Sequence, residues 1–196
     1  MSGWEMLPMA LAGPEPCATH VFPMNGATQE RAEERLPSVD ADTFRTVMGS
    51  FASGVCVVTT TGGDGSPRGF TCSAVCSVSA DPPLLLSCVS NKSGTLTAVL
   101  ARGRFAVNML DHRARRVSQV FASPVPDKFD RVRWDRGPVS GMPVLADVVA
   151  YAECELERAV TTGDHTLLVG RLVGGNLRSH RHPLAYWRGG YAEVLR

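Results

Sequence analysis

The sequence predicts a mainly β protein: a closed antiparallel β-barrel with a few short helices. About seven short β-branched or alternating runs are separated by glycine- and proline-rich turn signals. The helical periods between them are brief, so the long βαβ alternation of a parallel, doubly wound sheet is missing. With 196 residues, 44% of them hydrophobic and 20% charged, the chain can bury one sizeable core.

Residues 1–40 hold five of the thirteen prolines and no sustained hydrophobic period. They read as a flexible N-terminal extension, with one helical turn over Gln29–Leu36. The folded domain spans 41–196. Asp40 or Asp42 caps a helix through Phe51, with Phe44, Val47, Met48 and Phe51 along its apolar side, and Gly54 ends it. GVCVVTTT (54–61) is a β-branched strand, and GGDGSPRG (62–69) is the turn that makes it one arm of a hairpin. FTCSAVCSVS (70–79) follows, then the punctuating Asp81-Pro82-Pro83 and the strand LLLSCVS (84–90). Ser93 caps a helix through Leu100, FAVNML (105–110) is a strand, and Asp111 caps a helix through Phe121. A loop with prolines at 124, 126, 138 and 143 carries Lys128, Phe129 and Trp134. Val148–Glu157 alternates, placing Ala150, Ala152, Cys154 and Leu156 on one face. Tyr151, Glu153, Glu155 and Glu157 lie on the other, which reads as solvated or as a contact between copies. HTLLVGRLVGG (165–175) and GGYAEVL (189–195) are the last strands.

Charge and motifs exclude several function classes. The net charge is +1, divided between −4 over residues 1–40 and +5 over the remaining 156. That is too weak a field for nucleic acid or an anionic membrane. No apolar run spans a bilayer, and the N-terminus lacks a basic region followed by an apolar core, so the expected location is the cytoplasm. The six cysteines form no CxxC pair, and most lie in strand-like segments. They read as reduced and buried rather than as a disulfide framework or a zinc site. His180 and His182 of SHRHP read as loop histidines, so no metal is expected. Gly63, Gly65 and Gly69 miss the GxGxxG spacing by one residue and join two strands; P-loop, HExxH and GxSxG motifs do not occur.

Small polar residues gather at strand ends in GFTCSA (69–74), SCVSNKSGT (87–95) and TTGDHTLLVG (161–170). Such residues serve either as ordinary caps and turns or as a ligand rim whose backbone N–H groups approach a planar ring or a phosphate. Ser93 and Thr95 stand at a helix start beside Lys92, where a phosphate could bind. Lys92 and Lys128 are the only lysines, against eighteen arginines.

The segments FRTVMGSFASGVCVVTT, GFTCSAVCSVSADPPLLLSCVSNKS, FAVNML and GDHTLLVGRL, in this order, resemble the short-chain NAD(P)H:flavin reductase family. The likeness covers roughly residues 42–195. It implies the FMN-binding split-barrel fold, a homodimer, and the role of reductase component for a flavin-dependent two-component monooxygenase. By position, the resemblance makes Ser66, Gly69, Phe70, Thr71, Cys72, Ser73 and Ala74 the wall beside the isoalloxazine. Cys88, Val89 and Ser90 become the facing strand end, and Lys92, Ser93 and Thr95 the phosphate and ribityl end. Phe121, Ala122, Ser123 and Lys128 become the loop closing on the flavin. His165 becomes the nicotinamide-side catalytic residue, with Tyr191 near the stacked cofactors. Members of the family vary at the positions of Cys72 and Cys88, where alanine and serine are common, so neither thiol is expected to be chemical.

The implied reaction moves a hydride from NADH or NADPH to FAD or FMN. It needs alignment of two rings rather than a triad or paired carboxylates. The alternative is a split-barrel flavin-binding module or sensor without turnover. An oxidase of the pyridoxamine-phosphate type would require a basic substrate-phosphate pocket that the sequence does not display.

Overall fold

A computed structural model describes residues 36–178 and 180–194. The expected extension and its helical turn lie almost wholly outside those residues. The order of strands shows why the sheet must close. Seven strands run antiparallel in the order β3 (Pro67–Cys72), β2 (Cys56–Thr61), β6 (Arg104–Leu110), β9 (Val148–Thr162), β10 (His165–Leu177), β5 (Pro83–Ser90) and β4 (Val75–Ala80). The two edge strands, β3 and β4, are consecutive in the chain and joined only by Ser73 and Ala74. A sheet whose opposite edges are two residues apart in sequence has to curl into a barrel. The seam is stitched by Cys88 N–H donating to Ala74 O at 3.0 Å and by Cys72 Sγ donating to Cys88 O at 3.3 Å.

The run read as one strand over 70–79 is therefore broken at the corner. Two small sheets carry further strands that the residue patterns did not indicate, beside the expected last strand at 189–195. One contains β1 (Ser53–Gly54), β11 (Leu184–Trp187) and β12 (Gly190–Glu193), and the other pairs β7 (Trp134–Arg136) with β8 (Pro143–Leu145).

β2 explains its own lack of alternation, because all six of its residues are buried. Cys56 and Val58 join the core with Phe105, Val107, Ala152, Cys154 and Leu168. Val57 faces a second core formed with Leu110, Val117, Phe121, Phe129 and Leu145. Helix α2 (Gly94–Arg102) closes the first core with Leu96 and Val99; Ser93 caps it and the left-handed Gly103 ends it. Helix α3 (Arg115–Ala122) packs Val117 and Phe121 into the second. Asp111 does not cap α3. Its carboxylate accepts from Arg113 N–H and closes the turn ahead of the helix.

Helix α1 (Ala41–Gly49) is capped by Asp40, but it stops before Phe51, and Gly54 belongs to β1 instead. Phe44, Val47, Met48 and Phe51 are 51–73% exposed, so among the described residues the predicted apolar side is not buried. The acidic face of β9 needs a further correction. Glu153 is fully buried, and its carboxylate accepts from Ser140 N–H, Ser140 Oγ and Val139 N–H, because the 137–142 turn folds over that face. The cysteines also divide. Cys56, Cys72 and Cys154 are buried, Cys88 is half-buried, and Cys76, on edge strand β4, is exposed.

Candidate functional site

β3 alternates like any strand, so only part of the predicted wall can face a ligand. Cys72 is buried and Phe70 packs against the first core, whereas Gly69 and Thr71 lie toward α3. Thr71 Oγ1 donates to Ser118 O at 2.6 Å, which ties the strand to the helix. Ser73 and Ala74 at the seam are exposed, and their small side chains leave the backbone open to a flat ring. Ser66 lies at the other end of β3, accounted for by its bonds to Asp64. Val89 and Phe121 are each 1% exposed and committed to the two cores. From those positions only the backbone is free to touch a ligand.

One cleft, of about 280 Å³, lies between β3, the start of α2 and the loop after α3. Its lining includes Arg68, Gly69, Ser93, Gly94, Thr95 and Lys128. At the start of α2, Thr95 N–H donates to the capping Ser93 Oγ at 3.3 Å and Leu96 N–H donates to Ser93 O at 3.0 Å. Lys128 Nζ donates to Phe121 O at 3.0 Å, and burial pushes its pKa below the ordinary lysine value. A helix N-terminus facing two cationic side chains suits a phosphate. A neighbouring cleft, of about 230 Å³, is lined by Thr71, Ser73, Ser118, Ala122, Tyr186 and Tyr191. There Tyr191 Oη donates to Ser118 Oγ at 3.0 Å, with the Arg115 guanidinium 5.1 Å above its ring. Ser123 ends α3 and donates its hydroxyl to Val120 O.

The third group is the β9–β10 turn. Gly163 takes the left-handed conformation at φ 61°, which an L side chain resists. His165 then opens β10, opposite Ser90 of β5 on one side and Thr162 of β9 on the other. Its ring is about half exposed, and Nδ1 lies 2.8 Å from Asp164 Oδ1. The hydrogen bond and charge of His165 hold the Asp164 carboxyl below its ordinary value. An ionised carboxylate only accepts, so Nδ1 carries the proton of that bond, which makes Nε2 the acceptor in the neutral form of the ring. Ser90, Asn91 and Lys92 run from this turn into the Ser93 cap, and Ser90 Oγ accepts from Lys92 N–H. His165 and the phosphate-suited cleft thus share the 90–95 loop. Tyr191 belongs to the cleft on the α3 side.

Arg68, Asn91 and Tyr186 escaped the reading of motifs. Asn91 lies between Ser90 and Lys92, and Arg68 within the wall running from Ser66 to Ala74, which is the signal the sequence offers for them; Tyr186 has none. Among the described residues, no group of three or more His, Cys, Asp or Glu side chains is placed to hold a metal ion.

A barrel seamed beside small residues, with a cationic cleft at one strand end and an acceptor histidine on an adjoining turn, defines a nucleotide-binding barrel. The chain belongs to the flavin reductase like domain family, whose model matches residues 48–195. It is 52% identical over 157 residues to the NADH flavin reductase of Kitasatospora aureofaciens, covering 79% of this chain and 82% of that protein. It is 35% identical to the reductase subunit of a flavin-dependent monooxygenase from Rhodococcus jostii, covering 80% of each. In structure it resembles the NADH:FAD oxidoreductase of Streptomyces globisporus C-1027, solved with NAD and FAD fragments. The TM-score is 0.75 at 33% identity, over 82% of this chain and 98% of that one.

Proposed function

We propose that this protein is an NAD(P)H:flavin oxidoreductase that supplies reduced FAD or FMN to a partner flavin-dependent monooxygenase. The observation that carries the reading is the shared 90–95 loop, which brings a phosphate-suited helix start and an acceptor histidine to one rim. The donor set suits a flavin: cations and helix N–H groups for its phosphate, and the small Ser73–Ala74 corner for its ring. When bound, the flavin takes a hydride directly from the reduced nicotinamide and carries it away.

The protein's own part is to bind and align. Lys128, Arg68 and the start of α2 line the cleft that holds phosphate, with Lys92 on the loop leading into α2, while Thr71, tied to Ser118, fixes the wall strand against α3. His165 Nε2 accepts from the carboxamide N–H of the nicotinamide and so sets the angle of the ring. No side chain has to transfer a proton for the hydride to move. Residues 41–196 form the reductase domain, which works in the cytoplasm. The chain pairs as a homodimer, a reading supported by the exposed Phe44, Val47, Met48 and Phe51. Sedimentation as a single 21.0 kDa chain at micromolar concentration would remove the dimer.

Steady-state NADH and NADPH consumption with FAD, FMN and riboflavin tests the activity. Continuous turnover with at least one pair is expected. Flavin binding without turnover would leave a non-catalytic flavin module.

A further inference from the structure

His165 stands at the tip of a two-residue hairpin turn, the part of a long β-ribbon freest to move. Beside the β5 ladder, where Ser90 lies opposite His165, one residue ties that tip from outside the ribbon, through both its backbone and its side chain. Asn91 N–H donates to Asp164 O at 3.0 Å, Asn91 Nδ2 donates to Gly163 O at 3.2 Å, and Thr166 Oγ1 donates to Asn91 Oδ1 at 2.8 Å. These bonds reach the residues on both sides of His165. Thr166 is buried, so its hydroxyl roots the contact in the barrel. The amide can point only one way, since a flipped Asn91 would set its oxygen against the Gly163 carbonyl.

We propose that Asn91 is a positioning residue, which locks the β9–β10 turn to the 90–95 loop and so sets where the His165 imidazole stands relative to the groups that hold phosphate. The proposal rests on reading His165 as the nicotinamide-side residue. The same loop carries Lys92 and the Ser93 cap, so one residue keeps the two ends of a nucleotide site in register. Misplacement of a reacting group by about 1 Å can cost on the order of 100-fold, so a loosened turn should be felt in NADH kinetics.

The test combines a double-mutant cycle with hydrogen exchange on the full-length protein. His165→Ala is expected to lower kcat/KM for NADH at least about tenfold, with the Kd for oxidised flavin changing less than about threefold. Asn91→Ala and Thr166→Val should each lower kcat/KM for NADH about five- to tenfold, while Thr166→Ser, which keeps the hydroxyl, stays near wild type. In a His165→Ala background, adding Asn91→Ala should change kcat/KM less than about twofold. Amide exchange over Gly163–Thr166 should speed up at least about tenfold in Asn91→Ala while the rest of the barrel keeps its protection. Additive effects in the cycle, or unchanged exchange at the turn, would overturn the positioning role and leave the reading of His165 standing. Wild-type NADH kinetics in His165→Ala would remove that reading, and the role of Asn91 with it.

Discussion

Glu153→Gln replaces a fully buried carboxylate by an amide of nearly the same shape. In the folded protein Glu153 Oε2 accepts from Ser140 N–H and Ser140 Oγ, each at 2.6 Å, and from Val139 N–H at 3.2 Å. An amide oxygen in the place of Oε2 can keep these bonds, above all the two short ones from Ser140, but without the charge that strengthens them. Its NH2 group then takes the place of Oε1, 3.4 Å from Val139 N–H, and sets donor against donor. Weakening two charge-assisted bonds and burying an unmatched donor, less the relief of a buried charge, costs about 2–3 kcal/mol. For a domain of this size that corresponds to a fall in Tm of roughly 4–12 °C, read by scanning calorimetry. Gly137→Ala should act in the same direction from the opposite side, since its Cβ would lie 2.3 Å from Glu153 Oε2. NADH:flavin turnover should persist where both variants are folded, because Glu153 lines neither cleft. An unchanged Tm in Glu153→Gln would mean that the 137–142 turn does not depend on the carboxylate, and the reasoning would fail.

Lys128→Met should weaken flavin binding about tenfold or more, the loss of one charge-assisted contact, when measured by fluorescence titration. Equal affinity would take Lys128 out of the phosphate site. Of the five described cysteines, exposed Cys76 should react readily with a thiol reagent in the native protein. Burial pushes the Cys56 and Cys154 thiols up to about 12, so both should stay protonated and unlabelled until unfolding. Cys72→Ser and Cys88→Ser should keep activity within about tenfold, because the electron acceptor is flavin rather than a disulfide. Abolished activity in a folded variant would contradict that.

Much of the barrel could be read from the chain because its strands depend on local patterning. The β-branched run read over 54–61 forms β2 from Cys56 onward, the turn read over 62–69 gives way to β3 at Pro67, and the break at Asp81-Pro82-Pro83 separates β4 from β5. Periodicity fails where a distant segment decides burial. Alternation along β9 assigns Glu153 to the outer face correctly, yet cannot show that the turn 137–142 covers that face. The stripe on α1 has the spacing of a packed helix side, yet it is exposed among the described residues, because spacing alone does not supply a packing partner. The site was legible through motif likeness, which transfers positions without their orientations. Val89 and Phe121 therefore came along with their neighbours, although their side chains turn into the cores. Asn91 went unnoticed because its role exists only once β5 and the β9–β10 turn lie side by side.

Hydride passes directly from a nicotinamide to a flavin held by this barrel. Rapid mixing of the protein and oxidised flavin with NADH, without oxygen, tests it in one measurement. The flavin absorbance should bleach in a phase that saturates with NADH and slows when the transferred hydrogen at nicotinamide C4 is deuterium. Flavin that binds but stays oxidised with both NADH and NADPH would contradict the account.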